Sequence, residues 1–503
     1  MNAATALPLA TLASSLLPGV VIFMLPESRS RTRITLNLAG ALTKLALVVV
    51  MLFGVSAGQA YGFRHEVLPG VELVFRMDAL ALLFVTLSTG LWLLTTLYAI
   101  GYLERSPHRN RFFGFFSLCV TATIGIAMAA NLFTFFVFYE LLTLATYPLV
   151  AHRGTPAALR GAATYLGYTL VGGALLLTGI IWLRSIIGPV EFTPGGAPGI
   201  AGADQAVGLR IAFALLIAGV GVKAALVPLH GWLPRAMVAP APVSALLHAV
   251  AVVKAGAFGI VRIVYDVFGV EQAAALGVLA PLALVAALTV VWGSVRALAQ
   301  DGLKRRLAFS TVSQVSYIVL GVAMFGPQAT IGGLVHLVHQ GIMKITLFFC
   351  AGNYAETLGI HRVSEMDGVA RRMPLTSLAF TLGALGMIGA PLTAGAVSKH
   401  WLTAGAEAAD MGWVTWVLTL SSLLNAAYFL PIVYRAWCRR PPARWPDEHT
   451  PRAGWRETGW LLLVPPLLTA AATVGAGVLA DLPMSPLTWV RLIADREYGA
   501  AAP

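Results

Sequence analysis

The chain has 503 residues, of which 58% are hydrophobic and 11% charged, and its mean hydropathy is +0.79. Soluble domains carry about 25% charged residues, so this balance excludes a soluble enzyme and gives a polytopic membrane protein embedded in a lipid bilayer. A net charge of +12 would suit nucleic acid, but in a membrane chain basic loops set orientation first, and no nucleic-acid partner is expected. Cys119, Cys350 and Cys438 are too few and too scattered for a disulfide framework or a cluster. No metal and no cofactor are expected.

In chain order, apolar stretches long enough to span a bilayer lie near residues 5–25, 34–58, 78–102, 112–130, 132–151, 162–187, 208–230, 238–265, 272–299, 306–325, 329–357, 375–403, 411–437 and 457–480. The fold class is therefore an all-α polytopic membrane protein of fourteen transmembrane helices. The first stretch lacks a basic run ahead of it and is taken as a span. With helix-end arginines counted in the loops, loops after odd-numbered helices hold 22 of the 34 basic residues and the even-numbered loops and tail hold 7. The positive-inside rule then places both termini on the outer side of a bacterial cytoplasmic (inner) membrane. The loops are short apart from 189–207, so the chain forms a single membrane domain over 1–503.

The other five basic residues are all lysines. Of six lysines, Lys44, Lys223, Lys254, Lys344 and Lys399 fall inside predicted helices, while none of the 28 arginines lies clearly inside one. Arginine stays charged in proteins, whereas a buried lysine gives up its proton readily, so this selection points to proton exchange.

Lys44 sits close enough to the start of the second helix to snorkel. Glu140, in FYELLTLATYPLV, is the only acidic residue deep within a predicted span, with Asp78 and Glu356 nearer helix ends. A lone carboxylate there is expected to be functional, with Lys223 or Lys254 as its partner. Residues 221–262 hold Lys223, His230, His248 and Lys254, and Pro228 should open the helix close to Lys223, because a proline clashes with the carbonyl four residues back. Such an opening survives in lipid only against protein or a wet cavity. His230 and His248 are either satisfied core residues or proton shuttles. Ser310, Thr311, Ser313, Gln314 and Ser316 follow as polar lining or helix contacts. In 331–354, His336, Gln340 and Lys344 recur every four positions as one stripe, with His339 partly aside. Either this is a relay or it is polar glue between helices. Gly389, Pro391 and Gly395 weaken the helix ahead of Lys399. Two interrupted helices, the seventh at Pro228 and the twelfth at Pro391, mark an inverted-repeat transporter with its ion path at mid-membrane. The expected division is 1–111 (helices 1–3), 112–266 and 272–437 (two inverted five-helix repeats), then 438–503 (a cytoplasmic loop, helix 14 and tail).

Read together, FYELLTLATYPLV, VPLHGWLPRAMVAPAPVSALLHAVAVVKAGAFG, LKRRLAFSTVSQVSYI, KITLFFCAGN and GAPLTAGAVSKHW resemble the antiporter-like subunits shared by complex I, membrane hydrogenases and Mrp-type cation/proton antiporters. AMVAPAPVSALLHAVAVVKAG and GIHRVSEMDGVARRMPLTS are most similar to the D-type subunit of the Mrp-type Na⁺/H⁺ antiporters. The resemblance implies a central hydrophilic axis in which Glu140 pairs with Lys223, Lys254 passes protons inward, Lys344 is the eleventh-helix lysine and Lys399 that of the broken twelfth. Gln340 stands where the family often has histidine, Met237 departs likewise, and Arg235 is an unusual cationic neighbour. The expected function is a proton-translocating subunit of a multisubunit Na⁺/H⁺ antiporter, with other hydrophobic subunits, protons and Na⁺ as partners and no redox centre of its own. The alternatives are a proton-pumping subunit of a complex I-like enzyme, membrane hydrogenase or bicarbonate-uptake complex, and a non-conducting scaffold.

Overall fold

The computed structural model describes residues 3–103, 106–201, 205–448 and 457–499. Helices α1 (Ala3–Met24) and α2 (Ser30–Ser56) precede a hairpin of β1 (Gly62–Leu68) and β2 (Val71–Arg76), antiparallel and in register at Phe63–Phe75. Then come α3 (Ala79–Tyr102), α4 (Arg109–Met128), α5 (Leu132–Val150), α6 (Pro156–Ile187), α7 (Ala206–Ala224), α8 (Ala241–Phe268), α9 (Leu279–Leu298), α10 (Leu303–Ala323) and α11 (Pro327–Leu358). Two half-length helices, α12 (Pro374–Ile388) and α13 (Ala394–Ala408), are followed by α14 (Gly412–Cys438), α15 (Trp460–Val478) and a short α16 (Pro486–Tyr498). Among the described residues thirteen helices are long and apolar enough to cross a membrane. The broken pair α12/α13 supplies the fourteenth crossing, in keeping with the expected all-α polytopic class.

Helix starts follow local chemistry. Asp78, Asn131, Thr155 and Ser485 each accept a backbone N–H from the first turn of α3, α5, α6 and α16, and prolines occupy the first turns of α6, α11, α12 and α16. Neighbouring helices approach through small residues, as membrane packing favours. A Cβ on Gly219 of α7 would lie 2.6 Å from the Leu176 backbone of α6, and one on Gly332 of α11 would lie 2.6 Å from Leu402 of α13. The apolar windows of α8 and α10 are buried throughout and that of α11 is 94% buried, against 28% for α6 and 33% for α14. So α8, α10 and α11 form a central layer, while helices such as α6 and α14 turn Val171, Ile181, Trp416 and Leu423 outward as a lipid-facing rim would.

Three departures from helical regularity position the site. The seventh helix, expected over 208–230, stops at Ala224, the residue whose carbonyl Pro228 would strike. Ala225 adopts φ +58°, and Leu226 N–H bonds back to Gly221 O at 3.0 Å. The α12/α13 break closes the same way, with Gly389 at φ +94° and Ala390 N–H bonded to Leu385 O at 3.0 Å. Within α8, Leu246–Val250 forms a π turn centred on His248, just past Pro240 and Pro242 where a kink is expected. The hairpin and the amphipathic α16 are additions that the run of apolar stretches does not reveal.

Candidate functional site

Four of the five embedded lysines are fully buried, Lys399 is half-buried, and the contacts of each are specific. Lys223, in the last turn of α7, donates to the carbonyl of Tyr139 and lies 3.2 Å from that ring's centroid. Lys254 of α8 donates to Leu337 O of α11 at 2.6 Å, and Lys344 of α11 donates to Ser310 Oγ of α10 at 2.6 Å. Lys399 of α13 reaches across the break to Met387 O (3.1 Å) and Ile388 O (2.7 Å), and to Ser422 Oγ of α14 (2.9 Å). None of these amines has a carboxylate within ion-pair distance among the described residues. Lys254 and Lys344 are close enough to repel one another, and His336 interacts with both Lys254 and Lys399. Lys254, Lys344 and Lys399 are thus strung through the central helices, and the Lys223 backbone packs against Gly256 of α8, two residues from Lys254; these four make up the central lysine line. Lys44 lies elsewhere, between α1, α2, α3 and α4.

The side chains between the amines hold many unsatisfied polar atoms. His248 has no hydrogen-bond partner at either ring nitrogen, and Gln340 none at either end of the amide. Glu140 Oε1 is likewise buried and unpaired. Buried polar groups are paired in the great majority of cases, so the unpaired atoms beside the buried lysines stand out. His336 lies among them, its Nδ1 2.8 Å from Ser398 Oγ and its ring stacked on Tyr317 at 5.1 Å. The stripe His336, Gln340 and Lys344 is wholly buried, as its spacing predicts, and His339 is buried beside it.

Several expectations need correction. Glu140 and Lys223 interact electrostatically but form no ion pair. The carboxylate instead packs where a Cβ on Gly173 of α6 would lie 2.3 Å from Oε1. Nor is Glu140 the only acid deep in a span, because α8 runs to Phe268 and buries Asp266. Arginines do enter the helices: Arg262 of α8 and Arg33 of α2 are each 1% exposed. Arg262 is tolerated because its fork takes both oxygens of Asp78 at 2.9 Å and Asp266 at 2.8 Å, a geometry that keeps it permanently charged and paired. His230 is half-buried and accepts from Trp292 Nε1 at 3.3 Å, beside the lysine line and not in it. Arg235 is exposed. Sequence reasoning missed Tyr139, Tyr317, Ser398 and Ser422. Their signal is adjacency: Tyr139 precedes Glu140, Ser398 precedes Lys399, and Ser421, Ser422 and Asn425 stripe an otherwise apolar helix. Among the described residues no group of three or more His, Cys, Asp or Glu is placed to hold a metal.

The family described as NADH:quinone oxidoreductase/Mrp antiporter, TM, matches residues 129–425, and the N-terminal family of complex I chain 5 matches 70–113. The chain belongs to this complex I/Mrp antiporter-like family. It is 37% identical over 389 residues to the N subunit of NADH-quinone oxidoreductase from Desulforudis audaxviator, covering 74% of each. The A/B subunit of a probable K⁺/H⁺ antiporter from Rhizobium meliloti is 31% identical over 408 residues, which span 79% of this chain and 40% of that larger protein. In three dimensions a chain of the Mrp complex from a Dietzia species superposes with a TM-score of 0.85 at 25% identity, covering all of this chain and 98% of that one. The matched span 129–425 contains Glu140 and all the lysines of the central line, and leaves Lys44 outside.

Proposed function

We propose that this antiporter-like protein carries protons for a multisubunit monovalent cation (Na⁺)/proton antiporter, along the line Glu140, Lys223, Lys254, Lys344, Lys399. The observation that carries this is the row of buried amines without carboxylate partners, with the unsatisfied side chains of His248 and Gln340 beside them. Fixed charges would be paired; amines that must load and unload a proton are better held by single hydroxyls, carbonyls and rings. Glu140 acts as the switch. When its carboxylate swings off Gly173 toward Lys223 it holds the ammonium, and when it swings back the proton moves on to Lys254. His336, Gln340 and Lys344 pass the proton to Lys399, which opens toward an exit at the broken twelfth span.

The two halves, 112–266 and 272–437, act as inverted repeats around this line, with other hydrophobic subunits supplying the cation route. The chain sits in a bacterial inner membrane with both termini outward, and the motif wording fits the D-type subunit of Mrp antiporters. The match to a component of NADH-quinone oxidoreductase across 74% of both chains supports a second reading, in which the same path works within a complex I-like redox assembly. Glu140→Gln, measured as cation-driven pH change in membrane vesicles holding the intact assembly, is expected to abolish transport while assembly persists. Normal transport in that variant rejects the switch. Mass identification of the co-purifying chains separates the two assemblies: small hydrophobic antiporter subunits against flavin and iron–sulfur proteins.

A further inference from the structure

Lys44 stands outside the central line, in the N-terminal module of α1 to α4. Snorkelling does not explain it: the side chain is fully buried, donates to Ser15 Oγ of α1 at 2.6 Å and lies 4.9 Å from the Trp92 ring centroid of α3. The segments of α1 and α3 contain no charged residue or histidine, and α4 carries only Arg109 and Arg111 at its start. The amine is therefore enclosed by Ser15, Trp92 and, through Ser15, Thr121 of α4, with no carboxylate to hold it charged.

A ladder of polar groups leads to it. Ser15 Oγ lies 2.7 Å from Thr121 Oγ1, which donates to Ser117 O at 3.0 Å; Ser117 Oγ donates to Asn37 Oδ1 at 3.3 Å. Asn37 Nδ2 donates to Arg33 O at 3.0 Å, and the Arg33 guanidinium donates to Asn110 Oδ1 and lies 3.8 Å from Glu27, whose side chain is 47% exposed. Arg33, Asn37 and Lys44 share one face of α2 by their spacing. On α3, the helix that carries Trp92, Thr89 Oγ1, Trp92 Nε1 and Thr96 Oγ1 form a second stripe, all buried and unpaired. Unsatisfied polar atoms on α3 and a hydrogen-bonded ladder to the surface are what a loaded and unloaded site requires, and more than a packing role needs.

We infer that Lys44 is a second proton-binding site, reached from the face that bears Glu27 past the side chains of Asn37, Ser117, Thr121 and Ser15. A proton taken from water at the Glu27 end is accepted by the neutral amine, which becomes an ammonium held by Ser15 and the Trp92 ring; Arg33 and Asn37 flank the approach and do not themselves carry the proton. The inference rests on proton translocation by this chain.

The test measures the initial rate of cation-driven pH change across a pH series, in vesicles holding the full assembly, for K44M, K44R, the pair S15A/T121V and E140Q. A proton-exchanging Lys44 predicts that K44M and K44R both assemble and both slow transport by about tenfold, and that S15A/T121V moves the pH of half-maximal rate. Wild-type rate and pH profile in either K44M or K44R overturns the inference, since the first makes the amine packing and the second makes it a fixed cation. If K44M does not assemble, an unchanged pH profile in S15A/T121V overturns it. Inactive E140Q beside normal Lys44 variants sinks this inference alone, whereas active E140Q sinks the main reading.

Discussion

The two broken spans close their first halves with the same backbone motif and then diverge. In α7 the exposed carbonyl of Val222 is taken by the indole of Trp232 at 2.7 Å, which leaves Lys223, on the N-terminal side of the break, out of the helix-capping role. In α12/α13 the lysine lies on the C-terminal side, and its ammonium itself caps Met387 and Ile388, with Asn425 Nδ2 adding a bond to Met387 O at 3.1 Å. A neutral indole holds one break open whatever the charge of Lys223. At the other break the lysine is itself a cap. The difference teaches that, under the proposed proton path, a change of charge at Lys223 leaves the caps of its break in place, while one at Lys399 weakens the bonds that hold α12 against α13.

Arginine substitutions test that contrast with the largest expected effect. Lys223→Arg and Lys399→Arg keep a cation but forbid its deprotonation, so both are expected to lower proton transport by about a hundredfold or more, the usual scale for loss of a proton-transferring group. They should differ in stability. Lys399→Met strands the Ile388 carbonyl, at about 1–3 kcal/mol, leaves Met387 O to Asn425 alone, and should lower the melting temperature of the purified assembly, whereas Lys223→Met should scarcely move it. Equal melting temperatures for the two Met variants would break the comparison.

A third cation sharpens it. Arg262 is as buried as the lysines yet is clasped by Asp78 and Asp266. Arg262→Met leaves the buried Asp266 carboxylate unpaired and Asp78 with only Arg76 and the Ala81 N–H, an expected loss of about 3–5 kcal/mol, visible as failed assembly. Lys254→Met, which removes an amine bonded only to Leu337 O, should assemble and fail in transport alone. Intact, active Arg262→Met would mean that the ion-pair cluster is dispensable.

The turn residues give a smaller, mirror-image pair. Ala225 sits at φ +58° and Gly389 at φ +94°. A left-handed conformation costs a non-glycine residue about 1–2 kcal/mol, so Ala225→Gly relieves strain of that order and should raise the melting temperature slightly. Gly389→Ala adds the strain and also drives a Cβ to 2.8 Å from Lys399 Cδ. It should therefore slow transport as well as destabilise. A Gly389→Ala variant with wild-type transport would mean that the fit of Lys399 against its break is not critical.

How much of this was legible depends on what each feature writes into the chain. Fourteen crossings and both breaks are written locally, in apolar run length and in Pro228 and Gly389, and their positions emerge within a few residues. The lysines stand out because mid-membrane charge is rare. Arg262 was hidden by the opposite logic: its partners lie 184 residues away at Asp78 and four residues on at Asp266, beyond the expected helix end, so it read as a loop cation. The resting position of Glu140 was equally hidden, because it is set by a glycine on α6 that no spacing on α5 reports. Lys44 is visible in sequence as an embedded amine, but its ladder joins α1, α2 and α4 through single hydroxyls whose pairing only three dimensions supply.

The smallest effect concerns α16, which lies outside the membrane spans and packs beside the Arg262 cluster. Burial, then the Asp266 carboxylate, push the Glu497 carboxyl up to about 8, and its Oε2 is buried without a partner. An unfolded glutamate titrates near about 4.3, so between those values the docked helix holds a proton that the released one does not. Docking is therefore strongest below the unfolded value and weakens as pH rises toward and through 8. Hydrogen exchange of residues 486–498 should accelerate between about pH 5 and 8 by more than the intrinsic chemical rate, and Glu497→Gln should flatten that excess. The same series on Arg262→Lys asks whether the fixed cation sets the neighbouring titration: lysine cannot grip both carboxylates with a fork, so Asp266 turns further toward Glu497 and the excess should keep growing to a higher pH before it levels off. An unmoved plateau would mean that burial alone governs Glu497 and that the arginine cluster and the terminal helix are electrically independent.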